Sequence, residues 1–237
     1  MSAQNTGNCA KASLRTRHHA LWALGFIGCL LYGGRPVAGA EAPLANPPGA
    51  KTATRTLLFF GDSLTAGYGL DDPADEAFPG LIQKKLDGAR LPWRVVNAGL
   101  SGETSSGGLR RIDWFLRQPI DGFVLALGAN DGLRGIEPEL TRTNLAKIIA
   151  RVREKNPGVL LVVAGMQMPP NLGPEYPRDF AGIFPAVAKQ APATLVPFLL
   201  EGVAGQPELN QPDGIHPTAE GHRKVAETVW AHLLPLL

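Results

Sequence analysis

The sequence predicts an α/β protein, a three-layer α/β/α sandwich around a five-stranded parallel sheet. Three observations lead there. From Thr56 onward, short apolar runs alternate with amphipathic stretches of helical spacing. The apolar runs are nearly continuous, as strands covered on both faces are. Right-handed crossovers then leave few ways to wind five such strand-helix units.

The strand candidates are 56–60, 93–97, 122–127, 159–164 and 194–198. Between them, 77–87, 105–117, 137–155 and 178–190 carry helical spacing. In 137–155, Leu140, Leu145, Ile148, Ile149 and Val152 form the clearest stripe, whose expected role is core packing. A last helix from Pro217 to about residue 234 opens with proline in its first turn, where a missing N–H is tolerated. It lays Val225, Val229 and Leu233 on one side.

Residues 1–40 stand outside this pattern. Lys11, Arg15 and Arg17 precede the apolar run ALWALGFIGCLLYGG, which leads to Ala38-Gly39-Ala40. A basic head, a short apolar middle and a small-residue site make a secretory signal peptide, cut after Ala40. An uncleaved membrane anchor is the competing reading, but Gly25, Gly28, Gly33 and Gly34 interrupt a run shorter than the ~20 apolar residues of a spanning helix. Lipidation of Cys29 is weaker, because Phe26-Ile27-Gly28 lacks small-residue context. The expected location is therefore periplasmic or secreted, with no stable membrane anchor after cleavage. Residues 41–55, rich in Pro, Ala and Thr, read as a flexible leader. Residues 56–237 are long enough for one well-buried domain and short for two.

The signal segment carries Lys11, Arg15, Arg17 and Arg35 and no acidic residue. Of 23 basic and 21 acidic side chains, 19 and 21 remain, a net charge of −2. Nothing is left of a nucleic-acid footprint. Cys9 and Cys29 lie in the same segment. The mature chain therefore has no disulfide, cysteine nucleophile or thiolate metal site.

In parallel sheets, ligands sit beyond the carboxyl ends of the strands. After the first strand comes GDSLTAGYG with Ser63, and after the second NAGLSGETS with Gly102. After the third comes LGANDGLRG with Asn130, and near the end DGIHP with Asp213 and His216. Each block alone has a plain structural use as a turn, bend or cap.

Together they hold the parts of an acyl-transfer site. A serine hydroxyl is a poor nucleophile until a base takes its proton, and histidine suits that task. His216 leads, since His222 and His232 lie further along an ordinary helix, where solvated or packed roles fit them. Asp213, three residues before His216, can set its carboxylate against Nδ1 while Nε2 faces Ser63. The expected oxyanion donors are the Ser63 and Gly102 backbone N–H groups and the Asn130 amide. A G-x-S-x-G elbow is missing, because residue 65 is threonine.

These residues resemble the SGNH hydrolase family, or GDSL esterases, whose Ser, Gly, Asn and His match Ser63, Gly102, Asn130 and His216. GDSL stands intact at 61–64, GxND is represented by 128–131, and DxxH by 213–216. The fuller phrases resemble the bacterial periplasmic branch with acyl-CoA thioesterase I, lysophospholipase and arylesterase activities. The resemblance implies a flavodoxin-like five-stranded sheet, no metal, and hydrolysis through an acyl-serine. Ala129 departs from the glycine expected there and crowds the oxyanion loop slightly.

The segment 165–177, GMQMPPNLGPEYP, is long for a strand-helix connection. Met166, Met168, Leu172 and Tyr176 are candidates to border an acyl groove, since such side chains adapt to alkyl chains. Packing the loop onto the sheet is an equal alternative. The expected function is a serine esterase of broad acyl specificity, with a small-molecule ester or thioester as its partner, no cofactor and a monomeric state. A carbohydrate O-acetylesterase on the same scaffold, or a binding module without turnover, is the alternative. A nucleotide site is weak, for Gly61, Gly67 and Gly69 do not make G-x-G-x-x-G and no P-loop lysine is present. Three dispersed histidines without cysteine make a metal site weaker still.

Overall fold

A computed structural model of the chain describes residues 53–169 and 173–237. The signal segment, residues 41–52 of the leader, and Leu172 lie outside the described residues. Five parallel strands are ordered β2-β1-β3-β4-β5. They are β1 (Arg55–Gly61), β2 (Trp93–Gly99), β3 (Gly122–Ala126), β4 (Leu160–Ala164) and β5 (Thr194–Val196). Arg55, expected in the leader, already belongs to β1, and its N–H donates to the Pro92 carbonyl at 2.8 Å.

The helices are α1 (Ser63–Ala66), α2 (Pro73–Glu76), α3 (Phe78–Gly88), α4 (Ser105–Phe115), α5 (Ala129–Leu133), α6 (Pro138–Lys155), α7 (Glu175–Ala181), α8 (Ile183–Gln190) and α9 (Ala219–Leu233). Side chains alternate across a strand, so the interior strand β1 feeds both outer layers. Phe59 meets Phe78 of α3 edge to face at 5.6 Å, while Phe60 meets Phe115 of α4 at 5.6 Å. Helix α3 packs on α9, and α6 packs on both α4 and α8. Among the described residues, no helix is long and apolar enough to cross a membrane.

Four further expectations change. The segment expected as one helix over 178–190 is two, broken at Gly182, because the ring of Pro185 clashes with the carbonyl four residues back, Ala181, where α7 ends. Pro217 lies outside α9, whose N-cap is Thr218, accepting the Gly221 N–H at 3.2 Å. Strand β2 is not covered on both faces: it is an edge strand, and Arg94 and Asn97 are exposed. Leu140, in the first turn of α6, is 49% exposed, whereas Leu145, Ile148, Ile149 and Val152 are buried.

Candidate active site

Every strand of the sheet runs toward one rim, and the loops there carry the polar residues of the site. β1 ends at Gly61 and the chain turns at once into α1. Asp62 caps the turn, its Oδ1 accepting the Leu64 N–H at 3.1 Å. Ser63 thus opens a helix, where backbone N–H groups lack intrahelical partners. Helix α1 sits hard against the rim because Gly99 has no side chain: a Cβ there would lie 2.2 Å from the Ala66 nitrogen.

Two side chains that sequence reasoning did not find brace this turn. Asn97 Nδ2 donates to the Thr65 carbonyl at 2.8 Å. Arg111 on α4 donates through Nη2 to the carbonyls of Gly61 at 3.1 Å and Ala98 at 2.9 Å, and its Nε pairs with the buried Glu103. The guanidinium also lies 4.1 Å over the Phe60 ring. One cation therefore ties the ends of β1 and β2 beside Ser63. Glu103 stands in the SGETS block, but nothing in the spacing of Arg111 announced its partner eight residues earlier.

His216 enters from the segment before α9. Asp213 Oδ1 accepts the N–H groups of Ile215 and His216, both at 3.0 Å, which aims Oδ2 at His216 Nδ1, 2.6 Å away. His216 Nε2 lies 2.8 Å from Ser63 Oγ. A carboxylate only accepts, so Nδ1 carries the proton and the Nε2 lone pair faces the serine hydroxyl. Desolvation works against the charge on Asp213. The hydrogen bond from His216 and the two backbone N–H groups outweigh it and hold the pKa at about 2.

Asp62 behaves in the opposite way. Burial is the dominant influence and raises its pKa from 3.8 to about 7, with the charge of Asp131 adding to it, against the lowering pull of backbone N–H groups and the Asn130 amide. Asn130 on α5 is therefore close to the residue preceding Ser63. Gly102 takes a left-handed φ of 78° in the loop after β2. Ser63, Gly102, Asn130 and His216 all line one groove.

That groove has a volume of about 560 Å³ and mostly apolar walls, with Leu133, Met166, Met168, Phe198, Leu200 and Ile215 among them. Met166 and Met168, two of the candidate acyl contacts, are there. Tyr176 is not: its hydroxyl donates to the Ile136 carbonyl at 2.7 Å and its ring stacks on Phe180 at 6.0 Å. A half-buried phenol needs a partner for its polar end, and the α5–α6 connection supplies one.

His222 is packed, 1% exposed, with Nδ1 accepting the Phe78 N–H at 3.2 Å. Burial first, then the nearby His216, lower its pKa to about 4. His232 reaches back to the Thr228 carbonyl at 2.9 Å. Among the described residues no three His, Cys, Asp or Glu side chains are grouped as a metal ion would require.

Comparison with known proteins shows the family. Residues 59–224 match the family model of the GDSL-like Lipase/Acylhydrolase family. The Esterase TesA of Pseudomonas aeruginosa is 43% identical over 188 residues, covering 79% of this chain and 92% of that protein. The Thioesterase 1/protease 1/lysophospholipase L1 of Escherichia coli K12 is 39% identical over 186 residues, 78% of this chain and 86% of that one. A crystal structure of TesA superposes with a TM-score of 0.73 at 42% identity, covering 77% of this chain and all of that one. With a serine, a histidine and an aspartate in one hydrogen-bonded line above an apolar groove, the chain is a carboxylic ester hydrolase and belongs to the GDSL-like lipase/acylhydrolase family, the SGNH esterases.

Proposed function

We propose that the chain is an exported serine esterase that cleaves small acyl esters and thioesters through an acyl-serine at Ser63. The observation that carries the reading is the unbroken relay from Asp213 Oδ2 through His216 to Ser63 Oγ, with steps of 2.6 and 2.8 Å. Ser63 Oγ attacks the substrate carbonyl carbon and its proton passes to His216 Nε2. Asp213, ionised at any neutral pH, stabilises the imidazolium. The carbonyl oxygen, now an anion, is held by the Ser63 and Gly102 backbone N–H groups and the Asn130 amide. Collapse expels the alcohol or thiol, which leaves with the proton from Nε2. Water then attacks the acyl-serine, His216 taking its proton and returning it to Ser63 as the acid departs. No step calls for a cofactor or metal.

Met166 and Met168 would border the acyl chain, with Tyr176 left to the packing of its loop. Residues 1–40 would direct export to the periplasm or beyond, leaving residues 56–237 to work as a single monomeric domain. The volume and apolar walls of the groove favour alkyl acyl groups over the acetyl of a carbohydrate O-acetylesterase. Treatment of the purified protein with an organophosphonate, followed by peptide mass spectrometry, tests the reading. An adduct on Ser63 with loss of ester hydrolysis is expected, and attachment elsewhere would overturn it. A series of p-nitrophenyl esters separates the substrates: a preference for acetate with no gain at hexanoate or longer would favour the O-acetylesterase.

A further inference from the structure

The two reacting side chains arrive on loops 153 residues apart in sequence. Their own hydrogen bond, Ser63 to His216, is consumed whenever the serine gives up its proton. Something else has to keep the loops in register.

Gln211 makes a second connection. Its Nε2 donates to the Tyr68 carbonyl at 2.7 Å and to the Pro217 carbonyl at 3.0 Å, while its backbone N–H donates to the His216 carbonyl at 2.7 Å. One residue thus grips two successive carbonyls, those of the histidine and of the proline after it, and reaches across to the loop that follows Ser63. The fit is tight: Gly69 has a φ of 77°, and a Cβ there would lie 2.1 Å from Gln211 Oε1. Tyr68 completes the connection, its ring centroid 4.7 Å from that of His216 at a tilt of 43°.

We propose that Gln211 and Tyr68 are positioning residues for the hydrolysis, Gln211 bridging the His216 loop to the Ser63 loop and the Tyr68 ring covering one face of the imidazole. The proposal rests on the roles given above to Ser63 and His216. Misplacement of a reacting group by about 1 Å can cost on the order of 10²-fold in rate, so a bridge at this point acts directly on turnover. An aromatic face against the imidazole also favours the cation that forms when Nε2 takes the serine proton.

The test follows phosphonylation of Ser63 by a small methylphosphonate p-nitrophenyl ester, which leaves the acyl groove empty, as a function of pH in wild type, Gln211→Leu, Tyr68→Leu and Tyr68→Phe. Gln211→Leu and Tyr68→Leu should each slow labelling by at least about tenfold. Tyr68→Leu should move the acid limb of the pH profile down by about half a unit, and Tyr68→Phe should recover the rate to within about threefold of wild type. Melting temperatures, recorded alongside, establish that the variants are folded. Should a variant not fold, the remaining one is read by the same criteria, and Gln211→Met serves as a second probe of the bridge. Labelling of both leucine variants at about the wild-type rate overturns the proposal. An unmoved acid limb in Tyr68→Leu, or a loss that phenylalanine fails to restore, does so too. If wild type carries no adduct at Ser63, the serine-esterase reading falls and the bridge with it. A labelled wild type with indifferent variants sinks the bridge alone.

Discussion

Asp131 and Ser105 are joined twice: the buried Asp131 carboxylate accepts the Ser105 N–H through Oδ2 at 2.8 Å and the Ser105 hydroxyl through Oδ1. Thr141 adds a third donor at 3.2 Å, and Asn144 in turn donates to the Ser105 hydroxyl at 3.0 Å. The carboxylate thereby fastens the loop bearing Gly102 to the helix bearing Asn130. Arg134, one turn along α5, repeats the link from outside by donating to the Gly102 carbonyl at 3.0 Å.

Asp131→Ala should therefore be among the costliest substitutions near the site. It strands the Ser105 N–H and the Ser105 and Thr141 hydroxyls, all fully buried, each stranded donor costing about 1–3 kcal/mol. A loss of about 3 kcal/mol or more is expected in urea unfolding. Asp131→Asn keeps one acceptor oxygen and should lose less. Equal stability of wild type and the alanine variant would mean the buried network carries no weight.

Asn130→Ala separates chemistry from folding. If the amide is an oxyanion donor, kcat should fall about 100-fold to 1,000-fold. KM and the melting temperature should stay close to wild type, because Asn130 is only half-buried and lies in the first turn of a short helix. A change in kcat below about threefold would remove it from the oxyanion site.

Much of this was legible from the order of residues along the chain, and the remainder was not for identifiable reasons. The apolar runs marked all five strands because each core strand is buried on both faces, and that property leaves a direct trace in residue type. The trace marks β2 as a strand but not as an edge strand, whose Arg94 and Asn97 are exposed. It fails at Leu140, where helical spacing continues past the point at which α6 leaves the core. The break between α7 and α8 was written in Pro185, but its effect falls four residues earlier, at Ala181. Among the site residues, Ser63, Gly102, Asn130, Asp213 and His216 stand in short blocks at strand ends and were visible together. Arg111, Asn97 and Gln211 were not, because each braces the site through backbone carbonyls, which have no signature in the sequence.

Gly132→Ala offers a handle on acyl preference. A Cβ at residue 132 would lie 2.2 Å from Met168 Sδ, which itself lines the groove. Since a methionine can change rotamer, the substitution should push Met168 into the groove rather than unfold the helix. The activity on p-nitrophenyl octanoate should fall by at least about tenfold relative to that on acetate. An unchanged ratio would show that Met168 does not border the acyl chain.

Stability should depend on pH through two buried groups that work against each other. Asp62 has its pKa raised from 3.8 to about 7, chiefly by burial. The folded state therefore holds a proton that the unfolded chain has released, so its contribution is full below about 3.8 and is lost as pH rises through 7. His222 has its pKa lowered from 6.5 to about 4, again chiefly by burial. There the unfolded chain holds the extra proton, so the contribution is full above about 6.5 and is lost as pH falls toward 4. Between those limits the proton taken up at Asp62 offsets the one released at His222, and the two slopes oppose each other. Asp62→Asn keeps an oxygen for the Leu64 N–H but removes the titration, so the variant should lose stability as pH falls from 6.5 to 4. His222→Gln can offer an amide oxygen to the Phe78 N–H and should show the reverse, losing stability as pH rises from 4 to 7. Each slope is bounded by one proton, about 1.4 kcal/mol per pH unit. Urea unfolding of the three proteins at pH 4.5, 5.5 and 6.5 reads this directly, and identical pH dependence in wild type and Asp62→Asn would show that Asp62 is already ionised in the folded chain.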